Sequence, residues 1–219
     1  MRTRAWVGLL LACLLALVGC GGGSSSDVST KSVPTTAGPG TAAPSAVGDA
    51  ASFDPEDALL TLADMPTGWV QEPDSPDDDS GFCAIPSFDD DALDQAEAVF
   101  SKQGQVTQLT HGTAAFAPGG SGTAYRQVRD TMDGCGTGSY LGAEVTVERT
   151  LFPAYGDESA AYLVTVTPEP GRQFPAFFVF VRLGDGLIGV AYGDEGSVDE
   201  AAAQAYVAKA VRRMQAAQG

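Results

Sequence analysis

The chain of 219 residues contains a single histidine, His111, and its four cysteines include no pair spaced as Cys-x-x-Cys. A serine or cysteine hydrolase needs a general base beside its nucleophile, and a zinc site draws most of its ligands from His and Cys. The sequence also has no Gly-x-Ser-x-Gly segment. We therefore expect no enzyme activity, no metal and no cofactor.

Two residues come closest to catalytic chemistry. Ser159 follows Asp157 and Glu158, but carboxylates without a histidine activate a serine poorly, so this position predicts a turn or a cap. His111 lies in a strand-like segment with polar neighbours. A lone strand histidine is usually a surface residue, although one that titrates between about pH 6 and 7 would suit a sensor.

Basic residues are absent between Lys31 and Lys102, and the whole chain carries a formal net charge of -16. Acidic side chains crowd the same stretch: Glu72, Asp74, Asp77, Asp78, Asp79, Asp89, Asp90, Asp91, Asp94 and Glu97. This charge repels nucleic acid and anionic lipid surfaces. Clustered carboxylates could bind calcium, but the chain has no loop of the form Asp-x-[Asp/Asn]-x-[Asp/Asn]-Gly, which favours a solvated acidic loop.

The N-terminal residues have the organisation of a bacterial lipoprotein signal. Two arginines precede an apolar stretch, Ala5 to Val18, which is too short for a spanning helix and ends in Leu17-Val18-Gly19-Cys20. That tetrapeptide resembles a lipobox. We predict a signal peptide at 1–19 and a diacylglyceryl group on Cys20, which would anchor the protein on the extracellular face of the cell membrane. Ordinary cleavage near Gly19 is the alternative.

Residues 20–52 are predicted to form a lipidated cysteine and a flexible tether. After Cys20 the segment consists almost entirely of small residues and proline, and no large apolar residue occurs before Phe53. Such a segment cannot bury enough surface to offset its ordering entropy. Residues 53–219 have the usual length of one domain with its own core.

The cysteines predict one disulfide. Signal-peptide removal would discard Cys13 and lipidation would consume Cys20, which leaves Cys83 and Cys135. In an oxidising compartment these two are expected to pair. Closing a loop of about 53 residues would stabilise the fold by about 4 kcal/mol in the chain-entropy model, and it would join the acidic loop to the core.

Periodicity predicts three helices in the domain. The first begins at Asp54-Pro55-Glu56-Asp57, buries Leu59, Leu60 and Ala63, and stops at Pro66. The others are predicted at Ser121 to Asp133 and at Val198 to about Gln215. The acidic run Asp89 to Asp94 could cap a further helix, if the segment after it is not a strand.

The strands are predicted at Ala96 to Ser101, Gln105 to Phe116, Tyr140 to Phe152, Ala160 to Thr167, Ala176 to Leu183 and Leu187 to Tyr192. Strands adjacent in sequence and joined by short turns indicate a single α+β domain with a central antiparallel sheet of about five or six strands.

One predicted strand is apolar on both faces, because Phe177, Phe178, Val179, Phe180 and Val181 follow one another without a polar residue. A strand of this kind is typically central and covered on both sides. Five aromatic residues are candidates to line a ligand pocket: Trp69, Phe177, Phe178, Phe180 and Tyr192. Core packing is their simpler use.

The order of these features resembles a known family. It comprises Leu60-Thr61-Leu62-Ala63-Asp64-Met65-Pro66-Thr67-Gly68-Trp69, then Cys83, a helix ending in Gly134-Cys135, the segment Phe152 to Ala160, the phenylalanine-rich strand, and Gly184-Asp185 before a closing helix. The resemblance is to actinobacterial sensor-type lipoproteins related to the extracellular domain of the mycobacterial Ser/Thr kinase PknH.

The resemblance spans nearly all of residues 53–219. It implies an α+β fold with an antiparallel sheet, packed helices and a cleft for an unknown ligand. The extracellular domain of that kinase carries two disulfides, whereas this chain has cysteines for one. The chain also contains no catalytic kinase domain.

From the sequence we therefore expect a lipid-anchored extracytoplasmic binding or sensor-type lipoprotein that is not an enzyme. Its partners are expected to be the membrane, through the lipid, and an unidentified small-molecule, lipid or envelope-protein ligand, but not nucleic acid. The alternative is a lipid carrier or a scaffold for a protein partner in the cell envelope.

Overall fold

The computed structural model describes residues 53–73, 83, 85, 88 and 91–219. The predicted signal peptide, Cys20 and the predicted tether lie outside these residues. So does much of the predicted acidic loop, namely Asp74, Asp77, Asp78, Asp79, Asp89 and Asp90. Among the described residues, no helix is long and apolar enough to cross a membrane.

Within this part of the chain eight strands form one sheet: β1 (Trp69–Gln71), β2 (Ala92–Lys102), β3 (Gln108–Phe116), β4 (Thr137–Tyr140), β5 (Ala143–Thr150), β6 (Glu158–Glu169), β7 (Arg172–Leu183) and β8 (Gly186–Gly193). Their order across the sheet is β1-β2-β3-β8-β7-β6-β5-β4, and all neighbouring strands are antiparallel. The helices of the described chain are α1 (Pro55–Ala58), α2 (Gly120–Cys135) and α3 (Glu200–Ala217), and Leu62–Asp64 forms a 3₁₀ turn.

The prediction of a sheet with about five or six strands was wrong, because the sheet of the described chain has eight strands. Strand β1 has only three residues, too few to show a period. The segment Tyr140 to Phe152, predicted as one strand, contains the turn that joins β4 to β5. In that turn Leu141 and Gly142 both have positive φ, at 49° and 84°, the backbone geometry of a tight hairpin.

The two faces of the sheet carry separate apolar clusters, and β7 contributes to both. Phe178 and Phe180 pack with α2 on one face, whereas Phe177, Val179 and Val181 pack with α3 on the other. Both faces of β7 are buried, as its uninterrupted apolar pattern predicts. The middle of the sheet is therefore enclosed between the two long helices.

The N-terminal segment 53–65, which we call the strap, lies on the face that α3 covers. The prediction that its helix continues to Pro66 was wrong, because α1 ends at Ala58 and Leu59 adopts an extended backbone. Ala63, predicted to be buried, is exposed. The chain leaves the helix where the Leu60 N–H donates to the side chain of His111, 2.9 Å away, instead of to a helical carbonyl.

Helix α3 begins at Glu200, close to the predicted Val198. The Asp199 carboxylate accepts hydrogen bonds from the N–H groups of Ala201 and Ala202, at 2.9 and 3.2 Å. A cap of this kind contributes about 1 kcal/mol to helix stability. Its buried stripe comprises Ala203, Tyr206, Val207, Ala210, Val211 and Met214. This stripe brings Tyr206 over one end of the sheet and Met214 over the other.

Candidate functional site

Three aromatic side chains meet where the first half of α3 packs near the start of β1 and the end of β8. Trp69 is the first residue of β1 and pairs with Lys102, the last residue of β2. Tyr192 lies near the end of β8, and Tyr206 lies on the buried stripe of α3. We call Trp69, Tyr192 and Tyr206 the aromatic cluster. Each is only 6 to 7% exposed, so most of each ring is packed against the protein.

The rings of the aromatic cluster contact one another directly. The Tyr206 centroid lies 5.8 Å from that of Trp69, edge to face, and 5.4 Å from that of Tyr192. The Lys209 ammonium lies 5.8 Å from the Tyr206 centroid, within the range of a cation–π contact. The same ammonium donates to the backbone oxygen of Asp64 on the strap. The cluster is therefore adjacent to a fixed positive charge.

The phenols of the aromatic cluster stay neutral over the physiological range. Burial, followed by the neighbouring Tyr206 and the carboxylates of Asp194 and Asp199, raises the pKa of Tyr192 to about 12. Burial also raises the pKa of Tyr206. A neutral phenol can donate and accept a hydrogen bond but is not a base. The aromatic cluster can therefore form hydrogen bonds with the edge of a ligand, but its phenols supply no base for proton abstraction.

The aromatic residues proposed from the sequence do not form one pocket. Trp69, Phe177 and Tyr192 face α3, whereas Phe178 and Phe180 lie on the opposite face and pack in the other cluster. All five are buried. The Phe177 ring contacts Phe152 of the β5–β6 connection, at 5.7 Å between centroids. Core packing is the role that the structure gives to the three phenylalanines.

The prediction that His111 is a surface residue was wrong, because its side chain is completely buried. Nδ1 accepts a hydrogen bond from the Leu60 N–H at 2.9 Å, and Nε2 has no partner among the described residues. Burial and the positive charge of Arg213 together lower the pKa of His111 to about 3, against a smaller opposing effect of Asp64. The folded protein therefore holds His111 neutral near pH 7, and the group does not titrate between about pH 6 and 7 as proposed for a sensor.

The structure does not bring Ser159 and His111 together. Ser159 lies on β6 and His111 on β3, with β7 and β8 between them. Three strand spacings separate them by about 14 Å, far beyond the reach of a nucleophile–base pair. Ser159 therefore belongs to a strand and not to the predicted turn, but its hydroxyl accepts the Tyr155 N–H of the preceding connection at 3.1 Å.

The acids beside Ser159 are also structural. Arg182 contacts Glu158 at 2.7 Å and Asp157 at 3.1 Å, and the Asp157 carboxylate accepts the Gly184 N–H at 2.9 Å. These contacts hold the β5–β6 connection against the β7–β8 turn. Among the described residues, no group of three or more His, Cys, Asp or Glu side chains is arranged to hold a metal ion.

The disulfide predicted between Cys83 and Cys135 is present, with 5.4 Å between the Cα atoms. Cys135 is the last residue of α2, and both cysteines pack at the margin of the cluster beneath that helix. The bond therefore attaches Cys83 to the α2 side of the sheet. Cys20 lies outside the described residues.

Sequence reasoning did not identify the contacts of the strap. Asp64 accepts the Thr61 N–H at 2.9 Å and contacts Arg213 at 3.0 Å, and Thr113 on β3 donates to the Pro55 carbonyl at 2.8 Å. The Thr61-x-x-Asp64 spacing is a capping-box signature that could have indicated the local turn. No local signal connects it to Arg213, which lies 149 residues further along the chain.

The fold of this chain is similar to that of a solved extracellular domain. That structure is the extracellular domain of PknH from Mycobacterium tuberculosis. The match has a TM-score of 0.52 and 12% sequence identity, and it covers 77% of this chain and 100% of the other. The expected resemblance is therefore confirmed for the fold. No protein-family model matches this chain, and no curated protein matches it by sequence.

Proposed function

We propose that this chain is a lipid-anchored extracytoplasmic binding domain of the sensor type and not an enzyme. The observation that carries the proposal is the fold match, which spans the whole of the PknH extracellular domain. The Cys83–Cys135 disulfide supports an oxidising compartment. The segment Leu17-Val18-Gly19-Cys20 supports a lipid anchor.

The aromatic cluster is the proposed ligand site. Tyrosine and tryptophan combine an apolar surface with a hydrogen-bonding group, a combination enriched at binding surfaces. Lys209 adds a cation next to Tyr206, and the carboxylates of Asp194 and Asp199 act on Tyr192. The ligand expected from this chemistry is a small molecule with an apolar face and polar groups at its rim.

The proposal is tested by native mass spectrometry of the protein purified from the membranes of its own host. A retained small molecule is expected, and the adduct should be lost in Trp69→Ala and weakened in Tyr192→Phe, which removes only the hydroxyl. Leu151→Ala is the matched control, because Leu151 is 94% exposed on the β5–β6 connection.

The same experiment separates the alternatives. A retained acyl lipid would replace the proposal with a lipid carrier, and a stoichiometric protein partner would replace it with a scaffold. An adduct held equally by all three variants would refute the aromatic cluster as the site. Its absence from the unmodified protein would contradict the binding proposal itself.

A further inference from the structure

The strap is held by apolar contacts at its start and middle. Phe53, Ala58 and Leu60 are buried in the cluster under α3. Phe53 and Met214 meet above Gly186, where an added Cβ would lie 3.0 Å from the Phe53 ring and 2.7 Å from the Met214 sulfur. The strap therefore covers part of β3 and β8 and closes the gap between the sheet and α3.

Two buried polar side chains on one face of β3 hold the backbone of the strap. The Thr113 hydroxyl donates to the Pro55 carbonyl at 2.8 Å, and His111 Nδ1 accepts the Leu60 N–H at 2.9 Å. Because residues two apart on a strand face the same side, both groups point to the strap. A buried backbone group that loses its partner gives up a hydrogen bond without regaining one from water, so the docked strap depends on both bonds.

Charged groups complete the attachment at the end of the strap. The Arg213 guanidinium donates to the Asp64 carboxylate at 3.0 and 3.2 Å, and Lys209 donates to the Asp64 carbonyl. Arg213 and Asp64 are the charged groups that influence His111. In the sheet His111 is paired with Ala98 of β2 and Val190 of β8, which carry no charge.

The hydrogen bond to Leu60 requires the neutral imidazole. Because Nδ1 accepts, the single proton is on Nε2, which is buried and has no partner among the described residues. A second proton would have to be placed on Nδ1, where its N–H would oppose the Leu60 N–H. The imidazolium would also be buried beside the positive charge of Arg213. Protonation is thus compatible only with a strap that has moved away.

We propose that the strap is a pH-dependent latch, and that acidification detaches residues 53–65 from the sheet and α3 while the rest of the domain stays folded. The proposal goes beyond ligand binding and does not depend on it. The strap directly follows the predicted tether, so its release would lengthen the connection between the domain and the membrane and expose the His111 face of β3.

The size of the effect follows from proton linkage. In the docked state the pKa of His111 is about 3, and in the released state it returns to its ordinary value of about 6.5. Lowering the pH from about 7.5 to about 5 therefore raises the opening equilibrium constant of the strap by about 30-fold. His111 is the only histidine in the chain, and the pKa of Asp64 lies below its ordinary value, so Asp64 stays charged across this window.

Amide hydrogen exchange of the full chain, measured at these two pH values and corrected for the intrinsic exchange rate, tests the proposal. The opening constant of residues 53–65 should rise about 30-fold at the lower pH, while that of α2 should change little. An equal rise in α2 would indicate global unfolding and would overturn the latch, and so would a strap that shows no change.

Two variants isolate the role of His111. In His111→Asn the Oδ1 atom takes the place of Nδ1 on Cγ and can accept the Leu60 N–H, but it does not titrate, so the pH dependence should disappear. In Thr113→Val the other anchor is lost while the titrating group remains. Opening should then be higher at both pH values with the about 30-fold ratio preserved. A ratio retained in His111→Asn, or lost in Thr113→Val, would refute the proposal.

Discussion

The Asp64 carboxylate and the Arg213 guanidinium form an ion pair, 3.0 Å apart, that connects the strap to α3. Burial raises the pKa of Asp64, but hydrogen bonds from Thr61 and the charge of Arg213 outweigh it and keep the pKa below its ordinary value. The pair thus joins the first and last elements of the domain, and both partners also contact Thr61.

Asp64→Asn should lower the unfolding free energy modestly, by about 1 kcal/mol, because both partners are partly exposed and solvent screens the pair. Denaturant unfolding near pH 7 measures this loss. Since the folded pKa of Asp64 is lowered, the contribution exists above its unfolded value of about 3.8 and disappears as the pH falls below it. A variant as stable as the parent at neutral pH would contradict the prediction.

Protonation of His111 should destabilise the protein at a higher pH than protonation of the carboxylates does. Its folded pKa of about 3 lies below its unfolded value, so the stabilisation is complete above about pH 6.5 and is lost progressively as the pH falls. Between about pH 7 and pH 4 the loss should be about 3 kcal/mol. Unfolding of His111→Asn across the same range should lack this component, and identical pH profiles would contradict the assignment.

Removing the disulfide should lower the unfolding free energy by a few kcal/mol, with about 4 kcal/mol as the upper estimate for a loop of this length. The double variant Cys83→Ser, Cys135→Ser tests this by denaturant unfolding. Reductant should destabilise the parent and leave the double variant unchanged, which separates the bond from the serine substitutions. Labelling of either residue by a thiol reagent in the untreated native protein would show that the bond is not formed.

Gly156→Ala should destabilise the protein much more than Gly136→Ala. Both glycines have φ of +59°, a backbone conformation in which an added side chain is strained at either position. At Gly156 the new Cβ would overlap the Arg182 carbonyl oxygen and lie 2.7 Å from Val181 Cγ1, whereas at Gly136 nothing lies within 4 Å. A difference of about 2 kcal/mol or more in unfolding free energy is expected from overpacking. Equal losses of unfolding free energy in the two variants would mean that the β5–β6 connection shifts to accommodate the added methyl group.

Cys20→Ala should release the protein from the membrane fraction into the medium or leave it unprocessed, because Cys20 is the predicted site of the lipid. Fractionation followed by intact-mass measurement distinguishes the two results. Cys83→Ser, Cys135→Ser is the control, since it removes cysteines without affecting the lipobox. A processed Cys20→Ala protein that stays in the membrane fraction would contradict the anchor.

Local chemistry was sufficient to predict several elements of this protein. The periodicity between Val198 and about Gln215 predicts the last helix, and the uninterrupted run from Phe177 to Val181 predicts a strand covered on both faces. Counting cysteines predicts the Cys83–Cys135 bond that the structure contains. These predictions depend on patterns within a few residues, or on which cysteines remain after the others are assigned, and neither requires knowledge of the topology.

Tertiary structure decided the rest. The first helix ends at Ala58 because the Leu60 N–H is bonded to His111, 51 residues away, a competitor that helical periodicity cannot show. His111 is buried for the same reason, since the strap and α3 cover a β3 face that the sequence alone leaves unassigned. The aromatic residues were separated onto two faces by the alternation of β7 in a sheet of eight strands. Burial and long-range hydrogen bonding, which depend on how distant segments meet, therefore determined the state of the one histidine, whereas local sequence determined where most helices and strands form.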